Sequence, residues 1–103
     1  MVVGKKKIAI LGSTGSIGTQ ALDVISAHSE AFEVRVLTAQ SNADLLISQA
    51  RAFLPSHVVI GDEAKFTQVK QALQDLPIEV LAGSKSLEDV VVMEEVDVVL
   101  TAL

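Results

Sequence analysis

Cysteine, tryptophan and tyrosine are absent from the 103 residues, and the only aromatic side chains are three phenylalanines. Without a thiol there is no disulfide framework, no thiolate nucleophile and no thiolate metal site. No apolar stretch reaches the roughly 18 residues that suggest a membrane span. Met1 to Gly4 is too short for a signal peptide, so the cytoplasm is the default location. Basic residues are scarce as well: 8 Lys and Arg against 13 Asp and Glu leave a formal net charge of −5. That balance argues against nonspecific binding to nucleic acid or to an anionic membrane, because phosphate-neutralising side chains are outnumbered. The one basic cluster, Lys5-Lys6-Lys7, directly precedes an apolar run and reads as a solvated lead-in to a strand.

What is abundant is small and branched aliphatic side chains. Half of the residues are hydrophobic, dominated by Val, Ile, Leu and Ala, a composition suited to helices packed on a parallel sheet. The length suffices for one domain with a hydrophobic core. It falls short of a complete six-stranded dinucleotide fold with a substrate domain.

The most informative stretch runs from Ile8 to Gly18. Ile8, Ala9, Ile10 and Leu11 show no polar alternation, as expected of a strand buried on both faces. Glycines then follow at every third position, Gly12, Gly15 and Gly18. Gly12 permits a tight turn, Gly15 lets backbone N–H groups approach an anion, and Gly18 lets the next helix pack closely. A diphosphate at that helix N-terminus meets unpaired amides and the positive end of the helix dipole. The spacing is G-x-x-G-x-x-G rather than the better-known G-x-G-x-x-G. Context supports it, because Ile17, Ala21, Val24 and Ile25 recur on one helical face after the loop. A tight strand-to-helix turn without a ligand is the bland reading, and dinucleotide binding is preferred to it. Ser13, Thr14 and Ser16 are candidate helix caps as well as candidate ligand contacts.

Further along, His28 falls near a helix end and reads as solvent-facing, and a second strand is expected over Val34–Ala39. In dinucleotide folds an acidic residue at this strand's end binds the adenosine ribose 2′-hydroxyl. Thr38-Ala39-Gln40-Ser41-Asn42 contains none, so a 2′-phosphate meets donors without carboxylate repulsion, which favours NADP over NAD. Asn42 is also the expected N-cap of a helix over Ala43–Phe53, with Ala43, Leu46, Ile47, Ala50, Phe53 and Leu54 on its packing face and Asp44, Ser48, Gln49 and Arg51 off it. Pro55 ends that helix, and a third strand spans His57–Ile60, with His57 structural. Asp62 or Glu63 caps a third helix carrying Phe66, Val69, Leu73 and Leu76. Ile78–Ala82 reads as an edge strand, Leu87–Glu95 as a fourth helix, and Val96–Leu103 as a fifth, apolar strand beside the first. The expected fold class is α/β, a Rossmann-like doubly wound parallel sheet of about five strands in the order 4-3-2-1-5, truncated before any substrate domain.

Ile10-Leu11-Gly12-Ser13-Thr14-Gly15-Ser16-Ile17-Gly18, followed by Thr19-Gln20-Ala21-Leu22-Asp23-Val24-Ile25, closely resembles the N-terminus of the 1-deoxy-D-xylulose 5-phosphate reductoisomerase family. Leu37–Asn42, Val59–Ala64, Glu79–Gly83 and Val96–Leu103 support the likeness. The resemblance implies that residues 1–103 are an N-terminal NADP-binding domain, incomplete at its C-terminal end. The enzyme it implies is an NADPH-dependent oxidoreductase of non-mevalonate isoprenoid biosynthesis. Such an enzyme rearranges 1-deoxy-D-xylulose 5-phosphate and reduces the product to 2-C-methyl-D-erythritol 4-phosphate. It further implies a homodimer and a divalent metal, Mg, Mn or Co, bound beyond Leu103. Carried over by position, Thr14, Gly15, Ser16 and Ile17 contact the cofactor diphosphate, and Gln40, Ser41 and Asn42 flank the ribose and 2′-phosphate. Many relatives have Gly followed by Lys or Arg where this chain has Gln40 and Ser41, whereas Asn42 matches. No catalytic or metal-binding residue is assigned within the chain. Two other readings remain: a different NAD(P)-dependent oxidoreductase, such as an aldehyde dehydrogenase of amino-acid biosynthesis, and a stand-alone dinucleotide-sensing module without catalysis.

Overall fold

Apolar runs of four to eight residues alternate with helical stripes along the chain, and the computed structural model turns that alternation into a single sheet. It describes residues 5–83, 85–86, 89 and 96–102. The elements are β1 (Lys6–Leu11), α1 (Ser16–Ala27), β2 (Phe32–Ala39), α2 (Ala43–Phe53), β3 (His57–Ile60), a 3₁₀ turn (Glu63–Lys65) leading into α3 (Phe66–Ala72), β4 (Glu79–Ala82) and β5 (Val98–Thr101). Every strand pairing is parallel, and the spatial order is β4-β3-β2-β1-β5, as expected from the sequence. The fourth helix expected over Leu87–Glu95 lies outside the described residues apart from Asp89.

Strands β1 and β2 begin two residues earlier than the apolar pattern suggests, because Lys6 and Lys7 pair with Phe32 and Glu33. Part of the basic cluster is therefore strand rather than lead-in. Between Ile8 and Ala9 the register slips by one, so Arg35 is the extra residue of a bulge in β2. Its carbonyl is satisfied by Ser56, whose N–H and hydroxyl both donate to it at 2.9 and 3.1 Å.

One face of the sheet carries the main core. Ile8, Ile10, Val34, Leu37, Val58 and Ile60 pack there against Leu22 and Ile25 of α1, Leu46 and Ala50 of α2, Val69 of α3 and its C-cap Leu73. Each Val, Leu or Ile in this set contributes about 1.5–3 kcal/mol on burial. The other face buries the smaller set Ala9, Val36 and Val59, with Leu81 and Val96 against them. Since β2, β3 and β4 step away from β1 in one direction and β5 lies on its other side, the winding reverses at β1. That reversal places a crevice at the carboxyl ends of the strands.

Several faces differ from the sequence expectation. The buried stripe of α1 is Gly18, Leu22 and Ile25, while Ile17 and Val24 are each 58% exposed. Gly18 decides this, because the helix comes closest to its neighbours on the side that has no side chain. Leu54, expected on the packing face of α2, is the left-handed C-cap at φ 52° and is exposed, since Pro55 forbids a further helical turn. Strand β5 occupies the outer position beside β1, and Val98, Val99 and Leu100 are exposed. His28 caps the C-terminal end of α1 and is exposed, as expected.

An ion pair ties α2 to the turn after α3. Arg51 donates to both Asp75 carboxylate oxygens at 2.9 Å and to the Ala72 carbonyl at 3.0 Å. The Arg51 guanidinium holds the Asp75 carboxyl below its ordinary value of 3.8. A carboxyl depressed on folding stabilises the fold fully above its unfolded pKa, and that contribution is lost as pH falls through the folded value. The difference in melting temperature between the wild type and Asp75→Asn is therefore expected to be constant above about pH 5 and to vanish in more acidic solution. A difference that persisted undiminished at low pH would contradict this role.

A candidate dinucleotide-binding loop

The chain leaves β1 through Gly12, whose φ of 85° is open to glycine and strained for other residues. Backbone N–H groups of the loop then tie it to β2. Gly12 N–H donates to the Thr38 carbonyl and hydroxyl, both at 3.1 Å, and Ser13 N–H donates to the same carbonyl at 2.8 Å. Helix α1 follows with Gly15 as its N-cap. A Cβ at Gly18 would overlap the Gly12 carbonyl oxygen and stand 2.7 Å from Ser13 Cα, so the third glycine brings α1 against the loop itself rather than against the sheet.

Ser13 is neither a cap nor a surface ligand. It is fully buried, its hydroxyl donates to Gln49 Oε1 at 2.7 Å, and Gln49 Nε2–H donates back to the Ser13 carbonyl at 2.8 Å. Thr14 and Ser16 do not cap the helix either: α1 has no side-chain cap and no acidic residue in its first turn. Its leading amides therefore keep their hydrogens for an outside acceptor, and the positive end of the helix dipole is not neutralised. This combination fits an anion such as a diphosphate. A Cβ at Gly15 would lie 3.7 Å from the Gly12 oxygen and 3.9 Å from the Ala102 oxygen, which is ordinary contact. The fold itself does not demand glycine there.

The second expected cluster sits at the carboxyl end of the neighbouring strand. Because Leu11 pairs with Thr38, Thr14, Gly15, Ser16 and Ile17 follow one strand and Gln40, Ser41 and Asn42 follow the next, both at the same end of the sheet. Asn42 caps α2, its Oδ1 accepting from Leu45 N–H at 3.2 Å. Ser41 is exposed. Gln40 lays its side chain across Gly61 at the end of β3, where a Cβ would stand 2.9 Å from Gln40 Cδ. Asp62, whose N–H donates to the Gln40 carbonyl at 2.7 Å, is the nearest acid in the adjoining turn. Its carboxylate accepts from Ala64 N–H at 3.0 Å and caps the 3₁₀ turn.

One residue that matters to this loop escaped the sequence reading, and another was read differently. Gln49, expected off the packing face of α2, is 7% exposed, and Thr38, expected among the donors offered to a 2′-phosphate, is buried in the turn contacts at 2% exposure. The signal was present, since Gln49 stands at i+3 from Leu46 and so borders the same stripe. No group of three or more His, Asp or Glu among the described residues is arranged to hold a metal ion. A cavity of about 410 Å³ lies at the opposite end of the sheet, lined by Phe32, Arg35, Phe53 and Leu54 among others. Arg35 Nε there stands 3.0 Å from Glu33, so its charge already has a counterpart.

Parallel strands wound in both directions from β1, with a glycine-rich turn opening an uncapped helix, define a doubly wound α/β domain of the dinucleotide-binding class. The sequence model of 1-deoxy-D-xylulose 5-phosphate reductoisomerase matches residues 8–103, and the chain belongs to that family. The Bacteroides fragilis reductoisomerase is 57% identical over 101 residues, which are 98% of this chain and 26% of the relative. That of Phocaeicola vulgatus is 54% identical over 99 residues, 96% of this chain and 26% of the relative. Among solved structures, a reductoisomerase in complex with NADPH, fosmidomycin and magnesium superposes with a TM-score of 0.90 at 32% identity, covering 95% of this chain and 24% of that one. The Zymomonas mobilis enzyme in complex with NADPH gives 0.85 at 30% identity, covering 89% and 24%. The chain thus spans about a quarter of the length of the relatives it matches. Membership of this family displaces the alternative of an aldehyde dehydrogenase of amino-acid biosynthesis.

The geometry separates Gly15 from Gly18 by experiment. Gly18→Ala is expected to destabilise the fold by about 1–3 kcal/mol through overpacking. Gly15→Ala is expected to cost at most about 1 kcal/mol, the scale of an N-cap change, while weakening NADPH binding at least tenfold. Thermal melts and titrations of both variants check this, and a Gly15→Ala chain that bound as well as the wild type would remove the loop from the site.

Proposed function

We propose that residues 1–103 form the N-terminal NADPH-binding domain of a 1-deoxy-D-xylulose 5-phosphate reductoisomerase. In this reading the complete enzyme acts in the cytoplasm as a homodimer. It converts 1-deoxy-D-xylulose 5-phosphate to 2-C-methyl-D-erythritol 4-phosphate with a divalent metal, Mg, Mn or Co, held outside this chain. The observation that carries the reading is the uncapped N-terminus of α1 behind the Gly12–Gly18 loop. The 32% identical relative in complex with NADPH supports it.

The leading amides of α1, with Thr14, Gly15, Ser16 and Ile17, bind the diphosphate. Gln40, Ser41 and Asn42 surround the adenosine ribose and its 2′-phosphate. NADPH, when bound, supplies the hydride for the reduction. The chain's part is to anchor the cofactor at its diphosphate and adenosine ends, which fixes where the nicotinamide is presented. The chain alone is expected to be inactive with substrate and metal, since hydride transfer needs the substrate held over the nicotinamide and no group of three or more His, Asp or Glu able to hold a metal ion is found among the described residues.

Calorimetric titration of the 103-residue chain tests the cofactor assignment. Saturable binding of NADPH, with NADH weaker, is expected, and absence of binding by both would defeat it. Ser41→Arg adds a cation beside the proposed 2′-phosphate position and is expected to raise the preference for NADPH over NADH about tenfold, the effect of one charge-assisted hydrogen bond. An unchanged preference would place the 2′-phosphate elsewhere.

A further inference from the structure

Ser13, Thr38 and Gln49 are the buried polar side chains among the described residues. Ser13 is 0%, Thr38 2% and Gln49 7% exposed, and none of the three belongs to the residues assigned to contact the cofactor. Burying three polar side chains is costly unless their hydrogen bonds are made, and here each is engaged. Gln49 contributes two antiparallel bonds to one residue, accepting from the Ser13 hydroxyl at 2.7 Å and donating to the Ser13 carbonyl at 2.8 Å. The Ser13 hydroxyl also lies 3.3 Å from the Thr38 carbonyl. Ser13 stands between Gly12, whose φ is set by the turn, and Thr14, the first residue assigned to the diphosphate. Clamping its carbonyl and hydroxyl together fixes the peptide plane that leads into the anion-binding turn.

Gln49 has a second connection. It projects from α2, the helix whose first turn is capped by Asn42, so one helix carries both the loop assigned to the 2′-phosphate and the clamp on the loop assigned to the diphosphate. We propose that Gln49 is a positioning residue for the cofactor: it sets the conformation of the Gly12–Gly15 turn and holds that turn at a fixed distance from the Gln40–Asn42 loop. This proposal rests on the cofactor reading above. An apolar side chain of similar length would fill the same space and leave the Ser13 carbonyl buried without a donor, which loosens the turn while the hydrophobic contacts of α2 persist.

The test compares Gln49→Met and Gln49→Glu with the wild-type 103-residue chain, using two probes. NADPH reads both loops, and adenosine 2′-monophosphate reads only the Gln40–Asn42 side. Gln49→Met is expected to weaken NADPH about tenfold or more, the scale of one buried hydrogen bond to a site group, and to leave adenosine 2′-monophosphate within about twofold. Gln49→Glu, which keeps an acceptor for the Ser13 hydroxyl but sets a second carboxylate oxygen against the Ser13 carbonyl, is expected to weaken NADPH at least as much as Gln49→Met. Equal losses of both probes would mean a general structural role and overturn the proposal, as would no loss of either.

Amide hydrogen exchange without ligand gives a second, independent reading. In Gln49→Met, exchange at Gly12 and Ser13 is expected to accelerate at least tenfold while Leu37 and Val59 are unchanged. Uniform acceleration, or none at Gly12 and Ser13, would overturn the proposal even if the wild type bound no nucleotide. Wild-type failure to bind NADPH combined with selective acceleration would instead defeat the cofactor reading and leave the clamp on the turn established.

Discussion

The carbonyl of Thr38 is the point on which the rest of the structure depends. It accepts from Gly12 and Ser13 N–H at once, and this requires the turn after β1 to fold back over β2 rather than run on into solvent. A residue at position 18 with any side chain would push α1 off that turn. Glycine there, and a positive φ at Gly12, let the helix begin at the mouth of the sheet with its amides facing outward. Parallel pairing of β1 with β2 then delivers both candidate loops to one end.

Electrostatics at that end come from the backbone more than from side chains. The chain carries a net charge of −5, yet the first turn of α1 holds no acidic residue, and Asp62 turns its carboxylate onto an amide of the following turn. An anion at α1 therefore meets peptide dipoles with no carboxylate in the helix's first turn. In the proposed reading such a site recognises the diphosphate through fixed amide hydrogens, which need no charged partner to be useful, and discrimination at the 2′-position falls to the uncharged Gln40, Ser41 and Asn42.

The strand order, the parallel pairing and the loop were legible because each rests on a local rule: unbroken apolar runs for β1 and β3, glycine spacing for the turn, Asn42 before a periodic stripe for α2. The extents of β1 and β2 were less so, since Lys6 and Glu33 join the sheet only through pairing that no single run reveals. Which stripe of α1 turns inward was misread for a related reason. Of the expected stripe Ile17, Ala21, Val24 and Ile25 only Ile25 is buried, and Leu22, as large as Ile17, turns inward instead, because close approach at Gly18 sets the helix's rotation. Ser13 and Gln49 look like a cap and a surface amide by type. Their meaning depends on a contact 36 positions apart in sequence, which periodicity does not encode.

Mapping NADPH onto the isotope-labelled chain by amide chemical shifts tests the central claim most directly. Perturbations confined to Thr14–Ile17 and Gln40–Asn42, growing to saturation with added NADPH, are the expected result. Shifts clustered instead around Phe32, Arg35 and Leu54, at the opposite end of the sheet, or no shifts in the Gly12–Gly18 turn, would contradict it.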